Sequence, residues 1–112
     1  MKKYQLGEFE EIVLLTVGVL YGNAYGVSIK EEIEQRLKRK VSIGALQSAL
    51  RRMESKGFLL SELGETTKAR GGKRKRYFKI TALGKKAIEF NMQTRMELWQ
   101  QIPDVAWEFK LC

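Results

Sequence analysis

Apolar residues recur every three to four positions near the start of the chain and predict an α-helix from about Gly7 to Tyr21. The segment is apolar on nearly all sides, which indicates burial between other elements. The neighbouring acids Glu10 and Glu11 are interpreted as part of its solvated surface. The predicted buried face comprises Phe9, Ile12, Val13, Thr16, Val17 and Leu20.

A second helix is predicted from about Tyr25 or Val27 to Arg39, after a turn that contains glycine. Most of its outward charges are interpreted as solvated surface. The cations near its C-terminal end suit the helix macrodipole, and contact with phosphate is an alternative role for them. The predicted inward residues are Ile29, Ile33 and Leu37.

A third, amphipathic helix is predicted between Ser42, which suits an N-cap, and Gly57, where the chain needs a left-handed residue. One face is apolar and the other is polar, compact and partly cationic. The predicted buried residues are Ile43, Leu46, Leu50 and Met53. The polar face carries Gln47, Ser48, Arg51, Arg52 and Ser55.

Two strand signals follow the third helix and predict a β-hairpin. Phe58 to Leu60 begins the first strand, and the alternation from Arg76 to Ile80 predicts the second. Between them lies a basic loop that has no acidic residue from Lys68 to Arg76 and has Gly71 and Gly72 at its tip. Its cations are Lys68, Arg70, Lys73, Arg74, Lys75 and Arg76.

The last long helix is predicted to begin after Thr81, which suits an N-cap, and to end before Pro103. An apolar stripe on this helix needs a partner surface. Because three helices and the hairpin already close a core, we expect the stripe to pair with its copy in a second chain. The predicted dimerisation residues are Ile88, Met92, Met96, Trp99 and Ile102.

This order of elements predicts a mainly α fold with a small β-hairpin, arranged as a winged helix-turn-helix with a C-terminal dimerisation helix. Residues 1–81 are expected to form the winged helix-turn-helix domain, and residues 82–112 the dimerisation helix and a tail. Both the third helix and the basic hairpin would then be available to a ligand.

Composition indicates a polyanion as the partner of the chain. The 112 residues carry 21 Lys and Arg against 13 Asp and Glu, a formal net charge of +8. A single cysteine, Cys112, permits no disulfide within the chain, and the lack of histidine argues against an ordinary zinc site. No cofactor is expected, and catalysis has little support. The apolar run from Ile12 to Leu20 is too short to span a membrane, so we expect a cytoplasmic protein.

Double-stranded DNA fits the third helix and the basic loop together. The loop would neutralise phosphates and release counterions, while its glycines allow close approach of the backbone. The helix would present Gln47 to adenine, Arg51 to guanine or phosphate, and Ser48 to phosphate. Solvated surface is the alternative for the arginines. The predicted groove-facing set is Ser42, Gly44, Gln47, Ser48 and Arg51, and the predicted wing set is Lys68, Arg70, Gly71, Gly72, Lys73, Arg74, Lys75 and Arg76.

Four segments of the chain follow the pattern of one known family. They are LGEFEEIVLL (6–15), AYGVSIKEEIE (24–34), SIGALQSALRRMESKGFL (42–59) and GETTKARGGKRKRYFKITALGKKAI (64–88). In these segments the chain resembles the PadR family of transcriptional regulators, in particular the small members with a single helix after the wing. The likeness implies a repressor more often than an activator, and the homodimer expected from the last helix would suit an inverted repeat. Where the family commonly has Tyr-Pro in the third helix, this chain has Gln47 and Ser48.

Two tryptophans suggest a further partner. Some relatives in the family bind flat aromatic compounds near the dimer interface, so Trp99 and Trp107 are candidates for such an effector pocket. Packing within the core or the interface is the more usual role of tryptophan on a helical stripe. For the chain as a whole, the alternatives to specific DNA binding are a protein-interaction module for an acidic partner and non-specific binding to RNA or an anionic membrane.

Overall fold

Four α-helices and one β-hairpin make up the described part of the computed structural model, which covers residues 4–64 and 74–108. The prediction of a mainly α fold with a small hairpin is confirmed. The elements are α1 (Glu8–Val19), α2 (Gly26–Leu37), α3 (Ile43–Ser55), β1 (Leu59–Leu63), β2 (Arg76–Ile80), α4 (Ala82–Gln101) and a short 3-10 helix (Asp104–Trp107). The predicted wing residues Lys68, Arg70, Gly71, Gly72 and Lys73, and also Cys112, lie outside the described residues.

Helix α1 supplies the middle of the core and packs against α2, α3, β2 and α4. Its predicted inward residues Val13, Thr16 and Val17 are buried, while Phe9, Ile12 and Leu20 are partly buried against the same core. The core continues through Ile29, Ile33, Leu46, Leu50, Met53, Phe58, Leu59 and Phe78. Removal of this apolar surface from water is the main force that holds the helices and the hairpin together.

Local sequence signals set the ends of the helices where they were predicted. The Ser42 hydroxyl accepts a hydrogen bond from the Ala45 N–H at 3.2 Å and caps α3. Thr81 caps α4 in the same way, accepting from the Gly84 N–H at 3.0 Å. Gly57 has a φ of +83°, which turns the chain from α3 into β1. Both caps and the left-handed residue are therefore confirmed.

The hairpin is antiparallel, with Leu59 opposite Ile80 and Leu63 opposite Arg76. It is fastened to the turn before α2, because the Phe78 N–H donates to the Ala24 carbonyl at 2.8 Å. This hydrogen bond fixes the base of the wing relative to the helix-turn-helix.

Three predictions about burial are wrong. Ile43 is 45% exposed and Leu37 is 37% exposed, because each is at the end of its helix, where the hydrophobic core stops. Glu10 and Glu11 are buried, at 7% and 3% exposure, and not part of the solvated surface. Their carboxylates are tolerated in the interior because cations from distant parts of the chain reach them.

Helix α4 leaves the core soon after it begins. Gly84 and Ala87 are its only buried residues in the described chain, and positions 92–101 are all exposed. Two polar contacts hold it to the rest of the fold. Asn91 Nδ2 donates to the Tyr4 carbonyl at 2.8 Å, and Arg95 Nη1 donates to Glu11 Oε1 at 2.9 Å. Most side chains of α4 from position 92 onward are therefore left uncovered by this chain.

Replacement of Gly84 by alanine is expected to destabilise the protein, although alanine favours a helix. A Cβ at this position would collide with the carbonyl oxygen of Phe58 and crowd the side chain of Ile80. We expect the free energy of unfolding to fall by about 1–3 kcal/mol, the usual cost of overpacking. Urea denaturation measures the change. Gly44→Ala, where the added Cβ meets nothing nearer than 3.7 Å, is the matched control and should stabilise or leave stability unchanged; equal losses in the two variants would contradict the packing argument.

Candidate nucleic-acid interface

The outer face of α3 is set by the burial of its other side. Leu46, Ala49, Leu50 and Met53 are buried and fix the rotation of the helix. Gly44, Gln47, Ser48 and Arg51 therefore form one outward stripe at spacings of three and four, which we call the α3 face. Ser48 is half-buried and the other three are exposed, as is Ser42 at the cap. The predicted groove-facing set is thus brought together on one surface.

The described wing residues have their positions fixed by hydrogen bonds and an aromatic contact. Arg74 Nε donates to the Gly64 carbonyl at 2.7 Å, and Arg76 Nη1 donates to Ser61 Oγ at 3.0 Å. Each arginine keeps other guanidinium N–H groups for a further acceptor. Lys75 Nζ lies 4.0 Å from the ring centroid of Tyr25, a cation–π contact. These three residues place positive charge at the end of the hairpin where β2 begins.

A cleft separates α3 from β2 and the start of α2. Its volume is about 660 Å³, and its charged lining contains three cations and one carboxylate. We call it the α3–β2 cleft. It is lined by Tyr25, Gly26, Val27, Ile43, Gln47, Leu50, Arg51, Glu54, Lys75, Arg76 and Phe78. The α3 face and the base of the wing thus border one positively charged depression.

A second, shallow depression of about 460 Å³ lies along the other side of α3 and is lined by Ser48, Arg51, Arg52, Ser55 and Lys56. Two of its cations also contact a buried acid. Arg52 Nε is 3.0 Å from Glu10 Oε2, and Lys56 Nζ is 3.6 Å from Glu10 Oε1. With Arg51 as a third cation, and the Glu10 carboxylate as the acid that Arg52 and Lys56 share, this surface keeps a net positive charge.

The environment of Glu10 keeps its carboxylate ionised. Burial by itself would raise the pKa of Glu10, but hydrogen bonds from Arg52 and from the Gly7 N–H, together with the charge of Lys56, hold that pKa below its usual value. The ion pair therefore persists at neutral pH and positions Arg52 and Lys56 beside the α3 face.

Sequence reasoning missed Tyr25 as part of this surface. Its ring meets Tyr77 of β2 edge-on, with centroids 5.6 Å apart, and it supports Lys75 on the side of the cleft. The available signal was an aromatic residue directly before a helix, which by itself predicts nothing specific.

The predicted dimerisation residues remain accessible on α4. Met92, Met96 and Trp99 are exposed, while Ile88 and Ile102 are half-buried. We call these five residues the α4 stripe. The 3-10 helix after Pro103 brings Trp107 back to Trp99, so that their ring centroids are 5.5 Å apart.

Within residues 4–64 and 74–108, no helix combines the length and the apolar character needed to cross a bilayer. In the same residues, acidic, histidine and cysteine side chains do not gather into a group that could hold a metal ion.

Comparison with known proteins relates the chain to one family. The model of the transcriptional regulator PadR-like family matches residues 14–90. The structure of a PadR-like transcription factor from Bacteroides fragilis is 25% identical, with a TM-score of 0.70, and the match covers 89% of this chain and 88% of that one. No curated protein matched the chain significantly.

Two further solved structures share the fold. A PadR-like transcriptional regulator from Bacillus cereus is 18% identical with a TM-score of 0.69, over 90% of this chain and 93% of that one. RosR from H. salinarum is 23% identical with a TM-score of 0.67, over 89% and 83%. Because the family model matches residues 14–90, more than half of the chain, the chain belongs to the PadR-like family of transcriptional regulators, which confirms the resemblance seen in the sequence and the prediction that it is not an enzyme.

Proposed function

We propose that the protein binds double-stranded DNA sequence-specifically as a homodimer and represses transcription from an inverted repeat. The observation that carries this proposal is the α3 face, which lies exposed between two positively charged depressions. A helix of this kind fits the major groove, and cations on both sides suit the phosphates that border the groove.

Each side of the interface has a separate task in this proposal. Gln47 is exposed and carries a carboxamide, which pairs with the N6 and N7 atoms of adenine. Arg51 is one helical turn further on and reaches guanine or a phosphate. Ser42 and Ser48 contact phosphate, and Gly44 lets the backbone approach the groove. The wing cations Arg74, Lys75 and Arg76 supply affinity that does not depend on sequence.

The homodimer is supported by the exposed apolar side chains of α4. Covering a row of apolar side chains is favourable in free energy, and Met92, Met96 and Trp99 of the α4 stripe form such a row outside the core of their own chain. Ile88, in contrast, packs against that core. Pairing of α4 with its copy would hold two α3 faces as one unit. Inverted repeats with half-sites about one helical turn apart match such a two-fold arrangement.

For Trp99 and Trp107 we favour packing at the dimer interface over an effector pocket. Each indole covers part of the other, and both remain exposed in the single chain, at 63% and 47%. Titration with planar aromatic compounds, followed by tryptophan fluorescence, distinguishes the roles: saturable quenching by one of them would favour the pocket.

Selection from random duplex DNA tests the function, followed by affinity measurements at several salt concentrations. We expect an inverted repeat to be enriched. The variant Arg74→Ala/Arg76→Ala should bind it at least about fivefold more weakly and lower the slope of log affinity against log salt by about four, because the dimer lacks both arginines in each of its two chains and each missing arginine leaves one phosphate without its cation.

The matched control is Lys85→Ala/Lys86→Ala, which removes the same charge from exposed positions of α4 and should leave the slope nearly unchanged. Enrichment of no sequence, with uniform binding that salt abolishes, would contradict the proposal. The positive charge would then reflect general attraction to polyanions, and an acidic protein partner would be the better hypothesis.

A further inference from the structure

An apolar surface lies beside the polar α3 face, at the entrance of the α3–β2 cleft. Ile43 is the first residue of α3 and is 45% exposed, and Val27 in the first turn of α2 is 52% exposed. Both line the cleft together with Gln47. Side chains in the first turn of a recognition helix reach base edges most easily, so this apolar surface faces the position of the groove floor in the proposed complex.

The surroundings of this surface restrict what covers it. Arg51, Lys75 and Arg76 line the same cleft, against the single acid Glu54. The occupant must therefore combine negative charge with a small apolar group. Duplex DNA has this combination, because the thymine C5-methyl group projects into a major groove bordered by phosphates.

We propose that Ile43, supported by Val27, contacts a thymine methyl group in each half-site and thereby contributes to sequence specificity. This inference rests on the proposed function, because it assumes that α3 enters the major groove. Ile43 would be an additional base-contacting residue. In the predicted groove-facing set, every residue has a polar side chain except Gly44, which has none.

The spacing between Ile43 and Gln47 predicts how far apart on the DNA their two bases lie. Ile43 and Gln47 are four residues apart on α3, so their Cβ atoms are about 6 Å apart. Successive base pairs are separated by about 3.4 Å. The thymine read by Ile43 should therefore lie one or two base-pair steps from the adenine read by Gln47.

Uracil replacement tests the contact, because it removes the methyl group and leaves the base pairing intact. Each thymine of the selected operator is replaced singly, and the dissociation constant is measured for the unaltered protein, Ile43→Ala and the control Leu60→Ala. Leu60 is an exposed apolar residue of β1, at 64% exposure, and does not line the cleft.

The unaltered protein and Leu60→Ala should respond alike. In each half-site, replacement of one particular thymine by uracil should lower the affinity three- to tenfold, which is roughly the contribution of one buried methyl group. Ile43→Ala removes the contact from both half-sites, so it should bind the thymine operator more weakly by the square of that factor, roughly 10- to 100-fold, and no longer distinguish thymine from uracil there. Its salt slope should equal that of the unaltered protein, which shows that the wing still binds and the fold is intact.

Two results overturn the inference and leave the proposed function standing. In one, an operator is enriched but no uracil replacement weakens binding. In the other, thymine is still preferred by Ile43→Ala, and the apolar surface is then left for another occupant such as an acidic protein segment. If no sequence is enriched at all, the proposed function fails, and the inference fails with it.

Discussion

Replacement of Met92 and Met96 by glutamate is expected to convert the protein to a monomer and to weaken operator binding by about 100-fold or more. Both methionines belong to the α4 stripe and are exposed in the single chain, at 41% and 50%. Glutamates at these positions would have to be buried without partners in the dimer, next to the same charges from the second chain. The monomer would lose the advantage of binding two half-sites at once.

Light scattering coupled to size-exclusion chromatography gives the mass of the variant, and titration with the selected operator gives its affinity. The control is Thr94→Glu/Gln101→Glu, which adds the same charge to exposed positions on the opposite side of α4, at 100° per residue. The control should remain a dimer. A Met92→Glu/Met96→Glu protein that keeps the dimer mass would exclude the α4 stripe as the interface.

Replacement of Arg95 by alanine is expected to lower the free energy of unfolding by roughly 3 kcal/mol. This value is the lower end of the range for breaking a buried ion pair, and we choose it because the arginine side chain is itself 58% exposed. The loss of stability arises because Glu11, the partner of Arg95, remains buried after the substitution. Glu11 is 3% exposed, and its Oε2 atom is buried without a hydrogen-bond partner in the described structure. Arg95 donates to Oε1, so its removal leaves a buried carboxylate with no compensating charge.

A second substitution separates this effect from a loss of packing. Glu11→Leu combined with Arg95→Ala removes the buried charge and should recover most of the stability. Arg36→Ala breaks the surface pair with Glu32 and should cost less than about 1 kcal/mol. Urea denaturation at one protein concentration compares the variants, since the stability of a dimer depends on concentration. Equal losses for Arg95→Ala and Arg36→Ala would show that the Glu11 pair contributes no more than a surface contact.

The features that could be predicted from the sequence are those in which cause and effect lie a few residues apart. Ser42 caps the N–H of Ala45, Thr81 caps that of Gly84, and Gly57 turns the chain directly after α3. The polar stripe of α3 was predicted because helical periodicity places Gln47 and Arg51 on one side when Leu46 and Leu50 are buried on the other.

The features that could not be predicted depend on contacts far apart in the chain. Glu10 meets Arg52 over 42 residues, and Glu11 meets Arg95 over 84 residues. Two adjacent acids in a helix are ordinarily solvated, so no local signal marks them as buried. Ile43 is the opposite case, an apolar residue that was predicted to be buried and is exposed. Its spacing matches the apolar face of α3, but periodicity does not say where along the helix the core ends.

The two adjacent acids of α1, Glu10 and Glu11, have a consequence for the spacing between operator half-sites. Glu10 holds α3 through Arg52, and Glu11 holds α4 through Arg95. One turn of one helix therefore contacts both the element proposed to meet DNA and the element proposed to join the two chains, and it helps to set the angle between them. In a dimer, that angle determines the separation of the two α3 helices and hence the number of base pairs between half-sites. Spacer length would then depend on α1, which is outside the proposed DNA interface, and could change without any change in the bases that α3 is proposed to contact.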